Sequence, residues 1–474
     1  MEETQLWRWE AADLASAIRA RRISSREAVE SALARVAQVN PRINAIVDLM
    51  ADEALEAADR ADAAVKTGAE LGPLHGVPVT LKINVEVAGR ATTNGVAAFK
   101  DRIAKEDGPP VASWRKSGAV FIGRTNVPAF STRYFSDNAL HGRTLNPWDA
   151  ARTPGGSSGG AAAAVATGMG ALAHGNDRAG SIRYPSYACG VYGLRPTQGR
   201  IANLEPVSPE SIAITTQLGN TQGPLARSVR DLRLGAVAMS ARDPRDPWWV
   251  PVPWRDEPGA PGVAAVWTGA DASPAVADAV RQAARWLEEA GYKVEEAVPP
   301  RLQEAGELFF TLIASEGAVS KEDTAGTTRA IEALGDEASK RARRSTVACV
   351  KPLDYEGYIA AFARRAAILR EWQLFFERYQ LLLLPVSLEP PFPVDEDQKG
   401  DAAVARILKA QVPMLAASTL GLPGLAAPAT LAGGVPVGVQ LIGPRFGEER
   451  LLAAAEAIEA RTAVKAPIDP RPQA

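Results

Sequence analysis

From about residue 71 onward, short apolar runs with strand-like character alternate with helical stretches, and this alternation restricts the chain to few architectures. The clearest unit covers residues 262–298, where "GVAAVWTG", a helical stretch and "YKVEEAV" follow one another. Strands that alternate with helices are typical of α/β proteins, in which helices pack on a sheet. The pattern therefore predicts an α/β protein with a mixed, mostly parallel sheet.

The N-terminal stretch has a different residue pattern, which predicts helices. Ser24 and Glu27 form a capping-box pattern, because each side chain can satisfy an early amide of the helix that follows. A second alanine-rich and acidic helix is predicted in "ADEALEAADRADAAVK". Further along, residues 160–173, "GAAAAVATGMGALA", predict a small-residue helix that can pack closely against other backbone.

Composition and charge exclude several classes of protein. A formal net charge of -2 lacks the basic excess of a nucleic-acid-binding protein. No run approaches the roughly 20 apolar residues that cross a bilayer, and the first residues do not resemble a secretory signal. Two cysteines and three histidines, none in a zinc-type pattern, predict neither a disulfide framework nor a metal site. The expected location is the cytoplasm, with no cofactor.

Two glycine- and serine-containing segments are the main candidates for a catalytic or binding site. They are Gly155-Gly156-Ser157-Ser158-Gly159-Gly160 and, further on, Gly180-Ser181-Ile182-Arg183. Glycines around a serine let backbone amides point at a ligand. Neither the P-loop pattern nor the dinucleotide-binding pattern is matched, so phosphate binding is disfavoured. The same pattern is also compatible with a glycine-rich loop whose only role is to permit tight helix packing. A histidine-dependent serine hydrolase also stays open, because His174 lies shortly before Ser181.

Three ordered motifs resemble the amidase signature family. The chain has the "GGSSGG" loop, a serine in "GSIR" 24 positions after Ser157, and Lys82 in "PLHGVPVTLKIN". Further similar segments are "GVYGLRPTQGRI" and "GVPVGVQLIGP", so the resemblance spans nearly the whole chain. It implies a mixed β-sheet core covered on both faces by α-helices.

The resemblance also implies a role for each matched residue. Ser181 is the expected nucleophile, Ser157 bridges it to Lys82, and a neutral Lys82 is the base. Free lysine has a pKa near ~10.4, so burial must favour the neutral amine. The peptide bond between Gly156 and Ser157 is expected to be cis. The oxyanion is expected to be held by the backbone amides of Arg178, Ala179, Gly180 and Ser181. Two further residues have supporting roles, Ser158 by hydrogen bonding and Asp177 by holding the turn.

The active loop departs from the family pattern "GTDxGGSIR", since it reads "GNDRAGSIR". Ala179 replaces a glycine, which is tolerated only if this residue needs no positive φ. Arg178 either points away into a salt bridge or steers an anionic or carbonyl-rich substrate. The expected substrate-pocket residues are aromatic or polar: Phe130, Tyr134, Phe135, Asn138, Tyr187 and Tyr192, with the Trp248-Trp249 pair as a further apolar wall.

Taken together, the residues and the resemblance predict an amidohydrolase that cleaves the C–N bond of a small hydrophobic or aryl amide or carbamate. The alternative is the glutaminase component of a tRNA-dependent amidotransferase, and a third hypothesis is a non-catalytic scaffold. The expected partner is the small-molecule substrate alone, without nucleic acid or membrane, for a monomer or homodimer. The predicted organisation is a helical region over 1–70, the signature core over 71–240, a Pro/Trp-rich linker or pocket-flanking segment over 241–261, and the rest of the α/β domain over 262–474.

Overall fold

The computed structural model describes residues 5–204, 212–255, 259–319 and 328–471. The helices are α1 Ala11–Arg19, α2 Ser25–Ile43, α3 Ala51–Thr67, α4 Pro109–Lys116, α5 Gly159–Ala166, α6 Arg183–Cys189, α7 Ile214–Gly219, α8 Val229–Met239, α9 Pro274–Glu289, α10 Leu302–Val319, α11 Thr328–Leu334, α12 Glu337–Cys349, α13 Tyr355–Arg378, α14 Asp401–Ala410, α15 Val412–Leu420 and α16 Glu448–Glu459. The strands are β1 Ile46–Leu49, β2 Pro78–Lys82, β3 Val120–Thr125, β4 Asp137–Asn138, β5 Gly142–Arg143, β6 Leu172–Asp177, β7 Tyr192–Arg195, β8 Thr221–Ala226, β9 Val263–Val266, β10 Lys293–Glu296, β11 Leu381–Pro385, β12 Gly424–Ala432 and β13 Val435–Ile442.

Within the described ranges, one sheet of 11 strands runs through the molecule in the order β1-β3-β2-β6-β8-β7-β12-β13-β11-β9-β10. Strands β2, β3 and β6 are parallel to one another, as are β9, β10 and β11. The remaining neighbours pair antiparallel. The sheet is mixed as predicted, but the expectation that it is mostly parallel is wrong. Six of the ten neighbour pairs of this sheet are antiparallel, among them β12 with β13, which a short turn joins.

Side chains of the sheet feed a hydrophobic core on each face, which follows from the two-residue period of a strand. In β11, Leu381 and Leu383 join the same core as α9 and α16, whereas Leu382 and Leu384 pack with α13 and α15. Near the other end of the sheet, α2, α3 and α5 pack on the second face. The sheet is therefore covered on both faces by helices, as the resemblance implies.

Several local predictions are confirmed. Ser24 and Glu27 form a complete capping box at the start of α2, and β9, α9 and β10 form a parallel strand–helix–strand unit. The small-residue helix is shorter than predicted, because α5 ends at Ala166 and Gly168 and Gly170 adopt φ values of +80° and +106°. β6 then begins at Leu172. In the N-terminal region, the edge strand β1 was not predicted.

The Pro/Trp-rich segment over 241–261, of which 256–258 lie outside the described residues, packs against the body of the protein. The ring of Trp254 lies 3.9 Å from the guanidinium carbon of Arg200, and its indole N–H donates to Ser240 Oγ at 2.8 Å. Trp248 is partly exposed. None of the helices that the structure describes combines the length and the apolar character needed to span a membrane.

Candidate active site

Lys82 is the last residue of β2, and its side chain is fully buried. Its Nζ lies 2.7 Å from Ser157 Oγ, in the loop that leads into α5. The peptide bond between Gly156 and Ser157 is cis, as the resemblance implies. Glycine is required at 156, since a Cβ there would lie 2.2 Å from the carbonyl oxygen of Arg133. The lysine and the first serine predicted from the motifs are thus in hydrogen-bonding contact.

On its other side, Lys82 contacts a chain of amide side chains that sequence analysis missed. Asn176 Oδ1 accepts from Lys82 Nζ at 2.6 Å, and Asn176 Nδ2 donates to Asn84 Oδ1 at 3.0 Å. Asn84 Nδ2 donates to Ser131 Oγ at 3.0 Å, and Ser131 donates to Asn94 Oδ1 at 2.6 Å. Because each amide both donates and accepts, the oxygen of Asn176 is held toward the lysine. The signal in the sequence was the replacement of the family's threonine by Asn176.

Asn176→Ala is expected to lower kcat/KM by about 10–100-fold, because losing a buried hydrogen-bond partner costs ~1–3 kcal/mol and loosens the orientation of the Lys82 amine. Asn176→Asp is expected to move the acid limb of the pH profile to higher pH, since a carboxylate favours the ammonium form. Both are measured as pH profiles of kcat/KM. Equal profiles for the wild type and Asn176→Asp would contradict this role.

Ser181 lies in a tight turn between β6 and α6 that is organised by Asp177. The Asp177 carboxylate accepts from the amides of Gly180 at 2.8 Å and Ile182 at 3.2 Å, and it pairs with the buried guanidinium of Arg183 at 3.0 Å. Burial alone would raise the pKa of Asp177, but Arg183 and Arg195 together with these hydrogen bonds bring it well below its usual range. An ionised Asp177 therefore fixes the backbone around Ser181.

The same turn decides which amides can receive an oxyanion. The N–H of Gly180 is already engaged by Asp177, so the expectation that it points at the oxyanion is wrong in this structure. Among the residues that the structure describes, the N–H groups of Ala179 and Ser181 donate no hydrogen bond. Ala179 does not adopt a positive φ, which explains why the family's glycine can be replaced. Gly180 has a φ of +93°, and a Cβ there would lie 2.0 Å from Met414 Sδ.

His174 is not placed to act as a base for Ser181. Its ring is fully buried, with Nδ1 3.4 Å from the backbone nitrogen of Lys82 and Nε2 2.9 Å from Gln222 Oε1. Burial lowers its pKa to about 3, with a further contribution from the nearby Lys82. Because both ring nitrogens are occupied and the ring stays neutral, the histidine-dependent alternative is disfavoured.

Ser158 supports the site through its backbone rather than its hydroxyl. Its N–H donates to the carbonyl oxygen of Ser181 at 3.1 Å, which joins the two serine loops. Its Oγ is buried and has no hydrogen-bond partner within the described part of the chain. The expectation that the hydroxyl supports the bridge by hydrogen bonding is therefore wrong here.

A cavity of about 630 Å³ opens above these groups, and Ser157, Asn176, Ala179 and Ser181 are among its lining residues. Apolar side chains from four parts of the chain form much of its wall: Phe99, Phe130, Tyr134, Ile212, Phe309, Phe310 and Ile313. The Tyr134 hydroxyl donates to the carbonyl oxygen of Ala179 at 3.0 Å, so this side chain also braces the turn. The described residues contain no cluster of three or more histidine, cysteine, aspartate or glutamate side chains that could hold a metal ion.

The cavity corrects several of the predicted pocket residues. Phe130 and Tyr134 line it as expected. The other predicted residues, Phe135, Asn138, Tyr187, Tyr192, Trp248 and Trp249, lie outside the lining. Phe135 stacks on Phe392, and the Asn138 amide donates to Asn126 Oδ1 and Val127 O. The Tyr187 hydroxyl donates to Glu389 O, and Tyr192 is buried in β7. Arg178 is among the lining residues, and its Nη2 donates to Thr215 Oγ1 at 2.6 Å.

The wall residues of α10 could not be found from motifs. Phe309, Phe310 and Ile313 lie about 130 positions after Ser181 in an ordinary apolar helix. The rings of Phe309 and Phe310 meet edge to face at 5.1 Å. Nothing in their spacing distinguishes a helix that lines a cavity from one that packs in a core.

Comparisons with known proteins found a family model, curated relatives and solved structures that are similar to this chain. A family model described as Amidase matches residues 27–452. An indoleacetamide hydrolase of Bradyrhizobium diazoefficiens is 44% identical over 467 residues, covering 97% of this chain and 88% of that protein. The A-type component of the glutamyl-tRNA(Gln) amidotransferase of Moorella thermoacetica is 33% identical over 97% of both chains. Among solved structures, a bacterial aryl acylamidase superposes with a TM-score of 0.81 at 26% identity, covering 95% of this chain and 96% of its own. A substrate complex of 6-aminohexanoate cyclic dimer hydrolase superposes with a TM-score of 0.81 at 27% identity, covering 97% of this chain and 98% of its own.

Proposed function

This chain belongs to the amidase family, and we propose that it hydrolyses the primary amide of an arylacetamide-type substrate to the carboxylic acid and ammonia, through an acyl-enzyme on Ser181. The reaction class is that of the family: the chain is an amidohydrolase that acts on the C–N bond of small amides. The observation that carries the proposal is an apolar, aromatic-walled cavity with Ser181 on its lining.

The proposed proton relay is supported by the hydrogen bond between Lys82 Nζ and Ser157 Oγ. In the proposed first step, Ser181 Oγ attacks the amide carbon and gives its proton to Ser157, which passes its own proton to the neutral Nζ of Lys82 at 2.7 Å. The return of this proton through Ser157 to the leaving nitrogen releases ammonia. Water then attacks the acyl-enzyme and gives a proton through Ser157 to Lys82. The return of this proton to Ser181 Oγ releases the acid and restores the free serine.

The negative charge that develops on the carbonyl oxygen needs donors fixed in advance. The N–H groups of Ala179 and Ser181 are available for this role, and the carboxylate of Asp177 holds the turn that carries them. Each such donor is typically worth about 10²–10³ in turnover. The proposed oxyanion site is therefore built from Ala179 and Ser181, with Arg178 at its edge.

The substrate class follows from the cavity wall and from the relatives. Phe130, Phe309 and Ile313 offer an apolar surface, and burying apolar area contributes about 25 cal/mol per Å². The name of the 44% identical relative gives indoleacetamide as its substrate, an amide with a flat apolar ring. An aryl ring on a short arm from the amide carbon fits both observations.

The proposal is tested by ammonia release from a panel of indole-3-acetamide, phenylacetamide, acetamide and L-glutamine. We expect kcat/KM for the two aryl amides to exceed that for acetamide and glutamine by at least about 100-fold, since only the ring reaches the apolar wall. Carbamate and anilide analogues of the same ring show whether ammonia is the preferred leaving group. A preference for glutamine would overturn the assignment.

The glutaminase component of a tRNA-dependent amidotransferase is the alternative, because relatives of that kind are 31–33% identical. It requires partner proteins, whereas the hydrolase acts alone as a monomer or homodimer. Full arylacetamide turnover by the purified chain is the result that separates the two. The oligomeric state and the cytoplasmic location remain predictions.

A further inference from the structure

The charged residues of the cavity are unevenly distributed. Of the described residues, four arginines line it, namely Arg102, Arg133, Arg178 and Arg343, against the two carboxylates Glu86 and Glu316. Arg133 is neutralised by a two-bond ion pair with Asp397, at 2.7 and 2.9 Å. Arg178 and Arg343 lie close enough to repel each other, where the turn of Ser181 approaches α10 and α12. Glu316, on α10, is the carboxylate of the cavity lining that contacts this region.

Glu316 already has its own donors. Its carboxylate accepts from the backbone N–H of Thr215 at 2.9 Å, from the hydroxyl of Thr215, and from the hydroxyl of Tyr358 at 2.8 Å. Arg178 Nη2 donates to the same Thr215 hydroxyl at 2.6 Å, so Arg178 is linked to Glu316 through one side chain. Arg178 therefore has a carboxylate one hydrogen bond beyond its own acceptor.

Arg343 has different surroundings from Arg178. Its Nε donates to the neutral Thr328 Oγ1 at 2.9 Å, and no carboxylate of the described chain lies within the 4.0 Å of an ion pair. Burial, with a smaller contribution from the neighbouring cation Arg178, lowers the pKa of Arg343 to about 10. A largely buried cation without a counter-charge is unfavourable unless an anion joins it.

We propose that Arg343, together with Arg178, forms a subsite for a carboxylate carried by the acyl part of the substrate. The inference rests on the proposed function, because in a primary amide everything beyond the scissile carbon belongs to the acyl part. A guanidinium binds a carboxylate through two parallel N–H···O bonds, which fixes orientation as well as charge. The preferred substrate is then an amide that combines an apolar ring with a carboxylate.

The test compares 3- and 4-carboxyphenylacetamide with the nitro compounds of the same shape, which are neutral. We expect wild-type kcat/KM to favour at least one carboxylated isomer over its nitro counterpart by tenfold or more. Arg343→Gln is expected to remove this preference, because it lowers kcat/KM on the carboxylated isomer at least tenfold more than on its nitro counterpart. The control is Arg344→Gln, since Arg344 is the next residue of α12, exposed and paired with Glu332 at 2.8 Å.

A binding measurement separates the subsite from the chemistry. Calorimetric titration of the Ser181→Ala protein with the carboxylated amides is expected to give a Kd at least tenfold lower than for the Ser181→Ala, Arg343→Gln protein. If the enzyme hydrolyses none of the amides while this difference is found, the proposed function fails and the subsite stands. The subsite is overturned if neither carboxylated isomer is preferred or bound more tightly, or if Arg344→Gln has the same effect as Arg343→Gln.

Discussion

Replacing Ser181 with alanine is expected to lower kcat/KM on phenylacetamide by about 10⁴-fold or more, to the level left by binding and the oxyanion donors. Ser181 supplies the only hydroxyl proposed to form the acyl bond. It lies on the cavity lining, in the turn whose Ala179 and Ser181 amides are proposed to bind the oxyanion. Ammonia release measures the loss. Intact mass after treatment with an arylsulfonyl fluoride measures the nucleophile directly, since the wild type gains one sulfonyl group and Ser181→Ala gains none.

Ser186→Ala provides the matched control, because Ser186 lies five residues further on in α6, and its hydroxyl donates to the carbonyl oxygen of Ile182 at 2.9 Å. It is outside the cavity lining, so activity and labelling should stay within about threefold of the wild type. Retained turnover in Ser181→Ala would contradict the acyl-enzyme mechanism, whatever the substrate.

Lys82→Met is expected to lower kcat/KM by about 10²–10⁴-fold, the usual contribution of a general base, and to remove the acid limb of the pH profile. In the wild type, kcat/KM should rise with pH and then level off, because only the neutral amine can take the proton from Ser157 and acid converts it to the ammonium form. Methionine keeps the length of the buried side chain without the amine. The measurement is kcat/KM against pH on one neutral amide.

Two comparisons make this assignment specific. The pKa of His174, lowered to about 3 by burial, keeps that ring neutral throughout the range from pH 5 to pH 9, so it cannot produce the acid limb. Lys116→Met, at the exposed end of α4, controls for the loss of one positive charge. An unchanged acid limb in Lys82→Met would assign the base to another group.

The motifs located the central residues because the chemistry is concentrated in short, glycine-rich segments. Lys82 and Ser157 were predicted from their motifs and lie in contact, since the loop before α5 reaches the C-terminal end of β2. The alternation of strands and helices likewise predicted the α/β class. It did not predict strand directions, which depend on long-range pairing such as that of β6 with β8.

The substrate wall was less predictable for a physical reason. Tyr187 and Tyr192 are close to Ser181 in sequence, yet their rings are buried in the core, whereas Phe309 is distant in sequence and lines the cavity. The local sequence pattern indicates that a side chain is buried. A side chain that lines a cavity has the same sequence pattern as one that packs against other side chains. Arg343 shows the same limit, because the absence of a paired carboxylate among the described residues is visible only once α10, α11 and α12 are packed.

The side chain of Arg183 has a consequence for the order in which the enzyme matures. Besides Asp177, it donates to Met414 O at 2.8 Å, Ser418 Oγ at 2.8 Å and Gln440 Oε1 at 2.6 Å, all more than 230 positions later in the chain. During synthesis on a ribosome, the segment that carries the nucleophile emerges long before these partners. A nascent chain that still lacks β13 therefore cannot complete the turn, and hydrolytic competence should arrive only with the last strands of the sheet.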